Sequence, residues 1–250
     1  MRAILTWHSV DPSGSPISVP RRLFERQVDW LAAGRVRVVT VPELAGLDDD
    51  VNAVALTFDD GFANFATEAM PVLHERGLPA TLFVVTDHAG GDNCWGGRRE
   101  AGIPILPLLD WDALARLREL GVVLGAHSQS HPKLPALSSE ALQAEMAGSA
   151  SVMEARLGDR PQVFAYPYGA VDARVAAAAA LSFRWACTTD FRPLRGHEAP
   201  LLLPRLDAWY LKEPDRFPVW GAPSLRAWIW YRGQGRRAGA AIRRLRHESR

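Results

Sequence analysis

Cysteine and lysine are the scarce residues of this 250-residue chain. Only Cys94 and Cys187 represent the first and only Lys133 and Lys212 the second, against 27 arginines. Two distant cysteines match no zinc-finger spacing and build no disulfide framework, and they leave the redox compartment open. The arginine excess reads as a coding bias and carries no mechanism. No run approaches the ~18 apolar residues of a membrane span. The opening Met1-Arg2-Ala3-Ile4-Leu5-Thr6-Trp7-His8 lacks the long apolar segment of a secretory signal. Taken as a whole translation product, the chain is expected in the cytoplasm. Net charge is only +1, and no nucleic-acid motif accompanies it, so a nucleic-acid partner is not expected.

What is present is ordinary globular material, 48% hydrophobic and 23% charged, enough for a full core. Charge is unevenly spread. Residues 216–250 hold nine arginines and one acid, Glu248, so that an acidic body precedes a basic tail. We divide the chain into one domain over 1–215 and a basic helical extension over 216–250.

The body alternates between strand and helix patterns. Short apolar strands are predicted at 3–6, 36–41, 54–58, 80–85, 122–125, 162–165, 184–187 and 201–206. Helices are predicted at 20–34, 64–76, 110–120, 138–157 and 173–181, with Asp110 and Ser138 as caps and Gly34 and Gly77 as stops. Some seven such alternations argue an α/β fold, a parallel sheet closed or nearly closed as a distorted (β/α)7-type barrel. Residues 86–109 form a glycine- and proline-bearing insertion, and a loop this long in a compact domain is more often functional than idle.

The chain is organised around Thr57-Phe58-Asp59-Asp60-Gly61. A buried strand ends in two carboxylates, and Gly61 lets the backbone turn sharply enough to aim both at one place. Adjacent carboxylates repel unless a cation sits between them or one is protonated. A metal ligand beside a general base satisfies that condition; a solvated Asp-Gly turn is the plainer alternative. His8, Asp59, Asp60, His127, Tyr168 and Asp207 each follow the carboxyl end of a predicted strand, the rim where βα barrels place their sites. His127 and His131, four apart, can turn both imidazoles to one ion. With Asp60 they make a two-histidine, one-carboxylate set that suits zinc, and non-haem iron as well.

These motifs resemble those of the polysaccharide deacetylases, the NodB-homology enzymes of carbohydrate esterase family four. Thr57–Gly61, His127-xxx-His131 and Tyr166-Pro167-Tyr168-Gly169 come in the family's order. The resemblance implies a distorted barrel, a divalent metal, usually zinc, and hydrolysis of the non-peptide C–N bond of an N-acetylated amino sugar or glycan. It implies Asp60, His127 and His131 as metal ligands, Asp59 as general base and the Tyr168 backbone N–H as oxyanion donor. Hydrolysis of another small amide by the same site, or a non-catalytic glycan-binding barrel, are the alternatives.

Two positions depart from the family pattern. The late stretch Leu203-Pro204-Arg205-Leu206-Asp207 has no histidine to act as acid, and Ala165 stands where many members have the arginine that orients the base. Arg205 is the candidate replacement. Leu5-Thr6-Trp7-His8-Ser9-Val10 resembles the first-strand histidine segment of the poly-N-acetylglucosamine deacetylases, which implies His8 as general acid. His197 is the competing acid; His74 and His88 receive no role. Trp95, Trp209 and Tyr210 are candidate sugar platforms, with core packing as the alternative, and Trp111 is expected in the core.

In the tail, Ala238, Ala241, Ile242 and Leu245 fall at helical spacing among Arg236, Arg237, Arg243, Arg244 and Arg246, after an aromatic segment with Trp228, Trp230 and Tyr231. The pattern suits peripheral contact with an anionic membrane face, or a solvated helix packed on the acidic body.

Overall fold

The computed structural model describes residues 1–212 and 216–248, with side chains as far as 236. In chain order the elements are β1 (Arg2–Trp7), β2 (Ser9–Val10), β3 (Ser18–Val19), α1 (Arg21–Ala32), β4 (Arg37–Val39), α2 (Val41–Ala45), β5 (Ala53–Phe58) and α3 (Met70–Glu75). They continue as β6 (Thr81–Val84), α4 (Trp111–Glu119), β7 (Val123–Ala126), α5 (Ser139–Leu157), β8 (Val163–Ala165), α6 (Ala173–Ala180), β9 (Trp185–Cys187), β10 (Leu206–Asp207) and α7 (Pro223–Glu248). The expected caps form: Asp110 accepts from the Ala113 N–H and Ser138 from the Ala141 N–H.

Eight strands make one parallel sheet in the order β10-β1-β5-β6-β7-β8-β9, with β4 beside the first half of β5. Its two edges meet through residues 203–207. Leu203 bridges Cys187 at the end of β9, and Leu206 and Asp207 pair with Leu5 and Thr6 of β1. The sheet thus curls into the distorted βα barrel expected. The strand predicted over 201–206 is cut to Leu206–Asp207. Pro204 has no N–H for a ladder, and the segment must cross from one edge to the other. The helix predicted over 64–76 begins instead as a π-helical turn, Phe65–Ala69, where Met70 N–H reaches Phe65 O. Pro71, just beyond, cannot donate to the carbonyl an α-helix would offer it.

Strand side chains alternate between two cores. Ala3, Leu5, Val54, Leu56, Leu82, Val84 and Phe164 pack outward under the helices. Ile4, Ala53, Ala55, Phe83, Val163, Ala165 and Cys187 fill the barrel. The inward residues are mostly small because Phe83 is not: a Cβ at Gly125 would lie 2.6 Å from the Phe83 ring. The Arg205 guanidinium sits 5.7 Å from that ring's centroid. Phe83 therefore floors the polar end of the barrel.

The basic extension takes the form of α7, which begins by lying on the barrel. Leu225 and Ile229 are buried, and Trp228 meets Phe191. Arg232 and Arg236 place their guanidinium carbons 4.3 and 4.9 Å from the Tyr210 ring centroid. The boundary expected at 215/216 adjoins residues 213–215, which lie outside those described. The stripe of Ala238, Ala241, Ile242 and Leu245, with Arg237, Arg243, Arg244 and Arg246, likewise falls outside the described side chains. Among the described residues, no helix is long and apolar enough to cross a membrane.

Candidate active site

Register builds the site. β1 and β5 pair from Arg2 against Ala53 to Trp7 against Phe58, and Asp59 N–H continues the ladder to Trp7 O at 2.9 Å. His8 and Asp59 therefore leave the sheet side by side. His127 N–H extends the next ladder to Val84 O. Asp60 (φ 72°), Ser128 (65°), His131 (61°) and Tyr168 (59°) hold left-handed backbone conformations that cost non-glycine residues about 1–3 kcal/mol each. Among the described non-glycine residues with positive φ, only His197 lies elsewhere. Strain gathered at one rim marks it as the functional face.

Asp60, His127 and His131 converge as expected. Asp60 Oδ1 lies 3.5 Å from His127 Nε2 and 3.4 Å from His131 Nε2, and all three side chains are buried. That Oδ1 has no hydrogen-bond partner. Burial pushes the Asp60 carboxyl above the usual range, with the Asp59 charge adding to it. Burial also holds His131 well below the ordinary imidazole value, with His127 contributing. A neutral imidazole offering its lone pair and an orphaned carboxylate oxygen are what a divalent cation needs. His127 Nδ1 lies 2.7 Å from Ala165 O; donation there leaves Nε2 free to face Asp60. The residues present fit a metal ion.

Asp59, beside that triad, is held by the residue that closes the barrel. Arg205 grips it with two bonds, Nη1 to Oδ1 at 2.6 Å and Nη2 to Oδ2 at 2.7 Å. Arg205 also donates to Thr188 O and to the Thr6 hydroxyl, and it is 1% exposed. Burial alone would raise the Asp59 carboxyl. The guanidinium, with His127 and His8, reverses this and holds it well below the usual carboxylate range. The arginine absent at Ala165 is thus supplied by the segment that closes the barrel. His8 Nε2 lies 3.8 Å from Asp59 Oδ2, and its side chain stays 25% exposed, open to an incoming molecule.

The remaining expectations divide. His131 sits between two rings, with Trp95 at 4.5 Å and Tyr168 at 4.6 Å between centroids. Trp95 is held there because the insertion folds across the turn after β5, Leu109 N–H donating to Gly61 O and Ala63 N–H to Pro107 O. His88, given no role, supports Trp95 edge-on at 4.9 Å. Trp209 is half-buried with the Lys212 ammonium over its ring, Tyr210 packs against Phe191, and Trp111 packs on the core. Asp207 reaches the rim and accepts the Trp209 N–H. His197 is not a competing acid. Its loop folds back under the barrel, Leu194 N–H bonding to Arg2 O, and His197 lines a cleft with Arg2, Asp49 and Trp185. Arg2 begins the strand whose end carries His8, so the length of β1, roughly 20 Å at ~3.3 Å per residue, separates His197 from Asp59.

Sequence reasoning missed Glu145. From α5 its carboxylate accepts from the N–H groups of Gln129 and Ser130 and from the Ser130 hydroxyl, fastening the loop between the two histidines. Gly148, one turn on, lets that loop approach: a Cβ there would meet Gln129 Oε1 at 2.2 Å. An acid and a glycine three apart on a helix is the trace it leaves in the sequence, and many helices carry it idly.

Comparison with known proteins bears on family and fold. The family model described as polysaccharide deacetylase matches residues 47–185, more than half of the chain. The putative polysaccharide deacetylase YxkH of Bacillus subtilis is 25% identical over 171 residues, 66% of this chain and 56% of that protein. Chitin deacetylase 1 of Cryptococcus neoformans var. grubii is 30% identical over 151 residues, 60% of this chain and 27% of its own length. The chain thus spans about half or less of these curated relatives. In fold it is similar to IcaB from Ammonifex degensii, with a TM-score of 0.72 at 24% identity, covering 91% of this chain and 96% of that one. The Streptococcus pyogenes deacetylase PplD gives a TM-score of 0.69 at 22% identity, covering 82% and 91%. His8 and Arg205 both lie outside the span that the family model matches.

Proposed function

The chain belongs to the polysaccharide deacetylase family, and from that premise we propose that it is a metal-dependent hydrolase removing N-acetyl groups from an N-acetylated amino sugar or glycan. The observation that carries this reading is the division of labour between the two aspartates. Asp60 Oδ1 is shared by two imidazole nitrogens, while Asp59, one residue earlier, is held ionised by Arg205 beside His8.

In the proposed reaction Asp60, His127 and His131 hold the ion, for which zinc is the proposed identity. Bound there, it would polarise the amide carbonyl and make water more acidic. Asp59 takes the proton of the attacking water, and the buried pair with Arg205 keeps its carboxylate aimed. The Tyr168 backbone N–H donates to the carbonyl oxygen as negative charge develops, a contribution of typically ~3 kcal/mol. His8 gives a proton to the leaving nitrogen, which would otherwise depart as a strongly basic anion. Acetate and a free amine result. Trp95, packed against His131, offers a face to a sugar ring.

Cytoplasmic residence, with peripheral contact at an anionic membrane through 216–250, is part of the proposal. Support for the contact comes from Trp230 and Tyr231, 54% and 70% exposed on α7, together with the basic charge of the tail. If the whole chain and one ending at residue 215 float equally with anionic liposomes, the contact is wrong.

Acetate release across a panel of N-acetylated sugars, with zinc and with chelator, tests the main reading. Release that is abolished by chelator, restored by zinc and absent in Asp59→Ala supports it. Tight glycan binding without any release would replace it with a binding module. For His8→Ala we expect kcat to fall about 10²–10⁴-fold with zinc content intact; unchanged kcat would remove His8 from the mechanism.

A further inference from the structure

His8 has no anchor of its own. The His127 ring has the Ala165 carbonyl for a partner, but among the described residues the His8 ring makes no hydrogen bond. The one carboxylate within 4 Å of its ring nitrogens, among the described residues, is Asp59, at 3.8 Å, with Asp60 and Asp207 also feeling its charge. Its aim must then come from its backbone, and the backbone beyond it is clasped. Ser9, fully buried, gives its hydroxyl to Asp11 Oδ2 and accepts from Asn64 Nδ2 at 2.6 Å. The same Asp11 oxygen accepts the Ser18 hydroxyl at 2.7 Å, and Asp11 Oδ1 accepts the Ser13 N–H at 2.7 Å. Ser9 N–H to Ile17 O and Asp11 N–H to Val19 O complete the closure of the loop. Asn64 stands four residues after Asp60. The Ser9–Asn64 bond therefore spans from the turn that carries His8 to the turn that carries Asp59 and Asp60.

We propose that Ser9 and Asn64 are positioning residues for the general acid: their bond, backed by Asp11 and Ser18, holds His8 against Asp59 and sets its reach to the leaving nitrogen. This rests on the role given to His8 above. None of the clasp's hydrogen bonds involves Asp60, His127, His131 or Arg205, so breaking it removes no bond that holds the base or the ion site. A displacement of about 1 Å in a reacting group costs as much as ~10²-fold in rate.

The test exploits the leaving group. An amide needs a proton on departing nitrogen, whereas 4-nitrophenyl acetate expels a phenolate that needs none. Ser9→Ala and Asn64→Ala break the bond from either side. We expect a 10- to 100-fold fall in kcat on an N-acetylglucosamine oligosaccharide, less than a twofold change on the aryl acetate, and unchanged zinc affinity. The His8 imidazole cross-peaks, identified by their loss in His8→Ala, should shift or broaden in both variants. Equal losses on both substrates, or unmoved cross-peaks in both variants, would overturn the proposal. Failure of the wild-type protein to release acetate from the oligosaccharide would count against the functional reading instead, and the cross-peaks still decide whether the clasp aims His8.

Discussion

Replacing Arg205 by methionine tests whether the base is built as described. Both members of the pair are nearly inaccessible, Arg205 at 1% and Asp59 at 3%, and the contact is bidentate. Removing one partner of a buried ion pair leaves the other charge unpaired and costs about 3–5 kcal/mol. For a chain of this size each kcal/mol moves Tm by ~2–4 °C, so Arg205→Met should melt about 6–20 °C lower. Methionine fills much of the volume over Phe83, which keeps the cavity contribution small. Metal binding would shift Tm as well, so the comparison belongs in chelator. The pH dependence has a definite sign. In the wild type the depressed Asp59 value means that the pair's stabilisation is complete above the unfolded carboxyl value, ~3.9, and is lost as pH falls through the lower folded value. In Arg205→Met burial dominates and raises the folded value. The native state then binds the extra proton, and stability falls as pH rises above ~3.9. The deficit against wild type should therefore be larger at pH 8 than at pH 5. Asp59→Asn/Arg205→Met should recover most of the stability lost by either single change, with no activity. A deficit under ~1 kcal/mol, or single effects that simply add in the double variant, would refute the reasoning.

Three further outcomes follow from the geometry. Asp60→Asn keeps the shape but removes the charge shared by His127 Nε2 and His131 Nε2, and should weaken zinc binding at least ~100-fold by competition titration while folding is retained. Glu145→Ala strips the acceptor from the Gln129 and Ser130 N–H groups, and should lower zinc affinity about 10–100-fold although residue 145 touches no ligand. Gly125→Ala drives a Cβ into the Phe83 ring inside the barrel, and should destabilise by about 1–3 kcal/mol in urea titration.

The sequence by itself determined most of the elements and the candidate ligand set. Strand and helix periodicity, the Asp-Asp-Gly strand end and the histidines four apart are written within short windows, and local backbone preference reads them out directly. Ser138 and Asp110 cap their helices for the same reason, since a cap needs only a neighbour three residues on. Tertiary structure decided how those pieces face one another. Arg205 meets Asp59 across 146 residues because the segment 203–207 closes the barrel between β9 and β1. His197 was lost as an acid because its loop folds to the other end of β1. Glu145 was invisible because its partners are backbone N–H groups, which every residue but proline carries. Pairings of this kind depend on which strand edges meet and at what register, and no short stretch of the chain contains that information.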